Sequence, residues 1–122
     1  MRKVNTGINN YTEVYAIDEQ AFNANHEYEV RKIPAKGTTI SKDEIYAKVL
    51  FQRGPIKENG VNGCCNEDLI AIVLDRLYSL NQGDFKCREN SIAITKLEGA
   101  MMWLKKRTAD IKARGVEGTS QK

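Results

Sequence analysis

The chain has 122 residues, 19 basic and 16 acidic side chains, a net charge of +3 and 41% hydrophobic residues. That is the composition of one small folded domain; it excludes a disordered tail and a fibrous protein, and leaves no room for a multidomain enzyme with its own dinucleotide-binding fold. The charge excess is too small for a duplex-DNA binder that works by neutralising many phosphates.

The N-terminus, Met1-Arg2-Lys3-Val4-Asn5-Thr6, turns polar where a signal peptide would turn apolar. The longest aliphatic run, Leu69 to Leu74, falls far short of the roughly 18–20 residues that cross a bilayer. No membrane is expected as a partner, and the expected location is the cytoplasm. Further along, Tyr11, Glu13, Tyr15 and Ile17 alternate with Thr12, Val14 and Ala16, and the period of two predicts a strand. His26, Tyr28 and Val30 opposite Glu27, Glu29 and Arg31 predict a second. Ile45, Ala47, Val49 and Phe51 against Tyr46, Lys48 and Gln52 predict a third, with Leu50 blurring its polar face. Turn residues at 23–25 and 34–37 separate these segments. The N-terminal half therefore reads as a small antiparallel sheet.

Residues 53–64 hold three glycines and a proline and are expected to be irregular. Beyond them the period becomes helical. Leu69, Ile70, Val73, Leu74, Leu77 and Leu80 form one apolar stripe on a helix starting near Cys65 or Asn66. Asn66, Glu67 and Asp68 place a cap and carboxylates at that start, and residues 81–84 end the helix. A longer helix is predicted from Cys87 to Arg114, with Ala93, Leu97, Ala100, Met101, Leu104 and Ile111 on its apolar side and Gly115 terminating it. The short connection makes the two helices antiparallel. The fold class is thus α+β: a small N-terminal antiparallel β-sheet, in residues 1–54 of a single domain 1–122, followed by a long two-helix antiparallel hairpin in 65–114. Such a chain has several apolar faces and few elements to cover them, so a homodimer at least is expected; the alternative is a stripe that packs entirely on the sheet within one chain.

Catalytic chemistry finds little support. There is no Gly-Lys-Ser/Thr phosphate loop and no Gly-x-Ser-x-Gly elbow. Cys87 and His26 could be paired as nucleophile and base, but a buried Cys87 that packs at the helix start is the stronger reading. Glu89 and Glu98 fall on different helix faces. Three cysteines and one histidine lack the spaced pairs of a zinc site, so neither a catalytic residue nor a metal ligand is assigned.

Ligand binding fits better. Asp84, Phe85, Lys86, Arg88 and Asn90 cluster at the inter-helix turn and the start of the second helix, where free backbone N–H groups suit phosphate. Phe85 offers a face to a base, and Asp84 and Asn90 can read base or ribose edges. The competing reading has Phe85 in the core, Asp84 as a cap, and Lys86 and Arg88 simply solvated. Residues 101–122 carry a local excess of four positive charges. There Arg107 and Arg114, seven apart, share a face that could grip a pyrophosphate, although cations also favour helix C-termini without a ligand. Asp110 and Arg114 are spaced as an i,i+4 ion pair.

The runs Gly54-Pro55-Ile56-Lys57-Glu58, Gly60-Val61-Asn62-Gly63-Cys64, Asn66-Glu67-Asp68-Leu69, Cys87-Arg88-Glu89-Asn90, Trp103-Leu104, Arg107-Thr108 and 114–119 closely resemble phage-encoded Thoeris anti-defence proteins of the first described type. The helical half looks like the hairpin domain shared with the phage anti-CBASS cyclic-nucleotide sponge. The resemblance implies a non-enzymatic sponge in the host bacterial cytoplasm that captures glycocyclic ADP-ribose, with CBASS cyclic di- or trinucleotides as a second ligand class. It implies a homodimer, in some members a hexamer, with no cofactor and no nucleic acid. The expected pocket lies at the dimer seam, closed by the sheet of one chain and the hairpin of another. Phe85 and an arginine of the last helical turns sandwich adenine there, while Arg88, Asn90 and Arg107 hold phosphates and riboses. A hydrolase of the cyclic signal and a small nucleic-acid-binding regulator are the alternatives.

Overall fold

The structure, a computed structural model, describes residues 1–7, 11–33 and 44–113. In chain order these form strands β1 (Arg2–Val4), β2 (Thr12–Ala16), β3 (Glu27–Lys32) and β4 (Ile45–Leu50), then helices α1 (Ile56–Asn59) and α2 (Asn66–Leu80), a 3₁₀ turn (Gly83–Phe85) and helix α3 (Arg88–Ala113). The α+β class is as the periodicities predict. Two compact units result, one of residues 1–54 with 59–64, the other of 55–58 with the chain from Cys65 onward.

The sheet unit is a four-stranded antiparallel meander in the order β1-β2-β3-β4. Its first strand is missed by the sequence pattern, because Arg2-Lys3-Val4 is too short and too polar to show alternation; its pairing with Val14 to Ala16 makes it a strand. Register puts Ala16, Tyr28 and Val49 in one row and Val4, Val14, Val30 and Ala47 two rows on, so both rows share one face. The opposite face carries Lys3, Glu13, Tyr15, Glu29, Arg31 and Lys48. Val30 pairs with Ala47 while Arg31 pairs with Ile45, so Tyr46 is an extra residue that interrupts the alternation expected along β4.

The segment expected to be irregular holds one helical turn. Pro55 pre-sets the backbone before α1 and accepts the Glu58 N–H at 3.1 Å, and Gly60, at φ +72°, ends the turn. The rest of the segment is irregular but held: Gln52 Nε2 donates to the carbonyls of Gly54 (3.1 Å) and Gly60 (2.8 Å), and Asn62 exchanges side-chain bonds with the Arg53 backbone. Cys64 lies beside Phe51 in a parallel bridge.

In the helical unit, α2 starts at Asn66 with Cys65 as its cap residue. The capping carboxylate is Asp68, whose Oδ2 accepts the Cys65 N–H at 2.9 Å and its thiol at 3.2 Å. The helices run antiparallel, as the Tyr78–Glu98 bond (2.6 Å) and the Asn81–Ser91 bond (3.0 Å) require. Among the described residues Leu74 is the only apolar side chain of the expected stripes that is buried; Val73 and Leu80 are exposed. Across the described residues the buried apolar set is Ala16 and Leu74 alone. No described helix is long and apolar enough to cross a membrane, and no group of His, Cys, Asp and Glu among the described residues could hold a metal.

Candidate functional site

The inter-helix turn is built around Asn81. Its backbone N–H ends α2 on the Leu77 carbonyl at 2.8 Å, its Oδ1 accepts the Cys87 N–H at 3.0 Å, and its Nδ2 donates to Ser91 Oγ. Ser91 Oγ donates in turn to the Cys87 carbonyl at 3.1 Å. These bonds fix both ends of residues 82–87, while the Phe85 and Lys86 amides close back on Gln82 and Gly83. Phe85 is therefore presented on a tied turn with 74% of its surface exposed. The reading that folds Phe85 into the core is wrong for this chain: its short 3₁₀ turn points no apolar surface inward. Asp84 sits in the same turn, exposed, and caps nothing.

Cys87 corrects a second expectation. It is exposed, not buried, because it occupies the cap of α3: its Sγ accepts the Asn90 N–H at 3.4 Å and its carbonyl the Ser91 N–H at 3.1 Å. His26, the other half of the weighed nucleophile–base pair, is tied through Nε2 to the Ala21 carbonyl at 2.6 Å. Arg88 is exposed and Asn90 half-buried in the first turn of α3, so Asp84, Phe85, Lys86, Arg88 and Asn90 do gather at one end of the hairpin.

Arg107 does not join them. It lies 19 residues beyond Arg88 on the same helix, about 28 Å at 1.5 Å per residue. Arg114, and with it the expected Asp110–Arg114 pair, falls outside the described residues; Asp110 pairs with Lys106 at 3.3 Å. Within one chain the expected ligand set is thus split between the two ends of α3. Near Arg107 stands a feature that sequence reasoning used for no role. Trp103, 71% exposed, carries the Lys106 ammonium 5.8 Å from its ring centre, and with Met102, Lys105, Lys106 and Ala109 it lines an open depression of about 530 Å³. Its signal in the sequence was the i,i+4 spacing from Trp103 to Arg107.

A second depression, of about 450 Å³, lies between α2 and α3 on Ala71, Leu74, Tyr78, Met101 and Met102, with Asp75, Glu98 and Lys105 around it. The Tyr78 hydroxyl donates to Glu98, and that bond, with burial, pushes the phenol's pKa up. Asp68 at the α2 cap is held below the usual carboxylate range by the Cys65 backbone and thiol. Burial pushes the Cys65 thiol up, and its bond to Asp68 adds to the rise.

The profile of the family described as "Acb2/Tad1, hairpin domain" matches residues 43–109. The chain is also similar to "Thoeris anti-defense 1" of Bacillus phage SBSphiJ7, with 44% identity over an alignment spanning 86% of this chain and 85% of that protein.

Proposed function

The chain belongs to the Acb2/Tad1 hairpin family, and from that premise we propose that it counters Thoeris defence by sequestering a cyclic nucleotide signal, chiefly glycocyclic ADP-ribose, without chemically changing it. The single observation that carries the reading is the 44% likeness to a Thoeris anti-defence protein along most of both chains. The turn adds chemical support: an exposed aromatic, Lys86 and Arg88 beside the N-terminus of a 26-residue helix suit a base and its phosphates.

The split of the ligand set fits a pocket assembled from two copies. Antiparallel pairing of hairpins under a two-fold axis brings Phe85, Arg88 and Asn90 of one copy to Arg107 of the next. Out-competing a sensor needs nanomolar affinity, about −12 kcal/mol, which a small ligand reaches only when most of its surface is enclosed. Exposed apolar side chains on both helices, Ile72, Val73, Ile92 and Met102 among them, favour such an assembly.

The test is to incubate the protein with glycocyclic ADP-ribose, remove free ligand, heat, and identify the released compound by mass spectrometry. Intact ligand in the released fraction is expected. An opened product in either the released or the free fraction would replace the sponge with the hydrolase reading, and no retained ligand with the free ligand recovered unchanged would refute both.

A further inference from the structure

We propose that Trp103 is a second base-stacking residue of the ligand site, at the opposite end of α3 from Phe85, with Lys106 and Arg107 supplying its anion contacts. The inference rests on the nucleotide-binding reading above and adds to it a residue and a subsite. A tryptophan 71% exposed on a helix forgoes most of the apolar burial that makes the residue worth having in a fold. Here it instead walls an open, largely apolar depression with Met102, Lys105, Lys106 and Ala109.

The surrounding charge selects the occupant. Lys106 stands 5.8 Å from the ring centre and also reaches Asp110, so the carboxylate tethers the ammonium beside the indole. Arg107, one helical turn past Trp103, projects from the same face. Lys105 also lines the depression. An indole with Lys106 beside it, a second lysine in the same lining and Arg107 one helical turn on fits a planar heteroaromatic ring carrying phosphate. It fits a neutral apolar side chain poorly, because burying the depression against one would strand the cations. Phe85 of one copy and Trp103 of another would then take the two faces of the ligand's single adenine, Trp103 standing where an arginine was expected.

Trp103 is the sole tryptophan of the chain, which makes the test direct. Titration of the full-length protein with glycocyclic ADP-ribose is followed by intrinsic fluorescence and by calorimetry, with size-exclusion mass measured in parallel. Saturable quenching at the calorimetric stoichiometry is expected. Trp103→Ala is expected to lose about tenfold or more in affinity at unchanged assembly mass, and Trp103→Phe to recover most of it. Binding heat without a fluorescence change, together with unchanged affinity in Trp103→Ala, would overturn the inference and leave the proposed function standing. A change of assembly mass in Trp103→Ala would overturn it in favour of a contact between copies. Absence of binding heat in the wild type would overturn both.

Discussion

The sheet unit and the helical unit spend their side chains differently. On the polar face of the sheet, Lys3 pairs with Glu13, Glu13 accepts the Tyr15 hydroxyl, and Arg31 donates to Glu29 while lying over the Tyr15 ring. At one end Asp18 accepts bonds from Asn25 and from the His26 and Glu27 amides, and Arg2 reaches Asn25. Polar groups there are mostly satisfied by neighbours in the same unit. The hairpin has its side-chain bonds concentrated at the turn and the α2 cap, and exposes Ile72, Val73, Phe85, Met102 and Trp103. Both units leave large apolar side chains exposed, Tyr11, Phe22, Tyr46 and Leu50 in the first among them; what separates them is the polar web, since the first unit ties its charged groups to one another whereas the hairpin leaves Lys86, Arg88 and Arg107 exposed.

Substitutions that remove internal support should separate the units most sharply. Leu74→Ala takes away the one buried apolar side chain among the hairpin's described residues and is expected to cost about 2–4 kcal/mol by chemical denaturation. A loss below about 0.5 kcal/mol would mean the hairpin does not depend on that contact. Gly63→Ala acts on the sheet unit. A Cβ there would lie 2.6 Å from the Leu50 carbonyl oxygen and collide with the Phe51 carbonyl. It should destabilise by about 1–3 kcal/mol, with loss of protection at the Cys64 and Gln52 amides in hydrogen exchange. Phe85→Ala removes outward-facing surface only; its melting temperature should hold while ligand affinity falls at least about tenfold by calorimetry. Unchanged affinity would remove Phe85 from the site.

Strand and helix periods survive in the sequence wherever one face of an element is apolar, which is why β2, β3, β4, α2 and α3 are legible within a residue or two. β1 is not, because its place depends on a partner strand and not on its own pattern. The α1 turn hides among glycines, since one helical turn needs a proline start and a positive-φ end but no stripe. Exposure was the least legible property. Cys87 and Phe85 look like core residues by type, yet Asn81 ties their turn in a conformation that faces both outward. The candidate ligand residues could be picked out by chemistry at both ends of α3, and their spacing on one predicted helix already sets Arg88 and Arg107 about 28 Å apart within a chain.

Acid should expose the contrast as well. In the sheet unit, burial raises the Asp18 pKa, but bonds from Asn25 and the His26 and Glu27 amides outweigh it and bring the carboxyl below its ordinary value. Glu13 is lowered chiefly by the Tyr15 hydroxyl. In the hairpin the comparable lowered carboxyl is Asp68. A depressed native pKa contributes stability that is complete above the unfolded value, about 4, and is lost as pH falls through the native one. Melting curves should therefore fall off below about pH 4, with Asp18→Asn and Asp68→Asn each flattening the decline; an unchanged decline in both would contradict the assignment. The smallest effect belongs to Asp110→Ala. Its ion pair with Lys106 is exposed on both sides, so stability should move by less than about 0.5 kcal/mol.

The central claim is that one bound nucleotide is held by residues from two copies, Phe85 of one and Arg107 of another. Complementation tests it most directly. Phe85→Ala and Arg107→Ala are each expected to bind glycocyclic ADP-ribose poorly, and the two are then mixed, dissociated and reassociated before calorimetry. Partial recovery of high-affinity sites is expected, because each mixed pair restores one intact pocket. Mixed protein that binds no better than either variant alone would contradict the shared pocket.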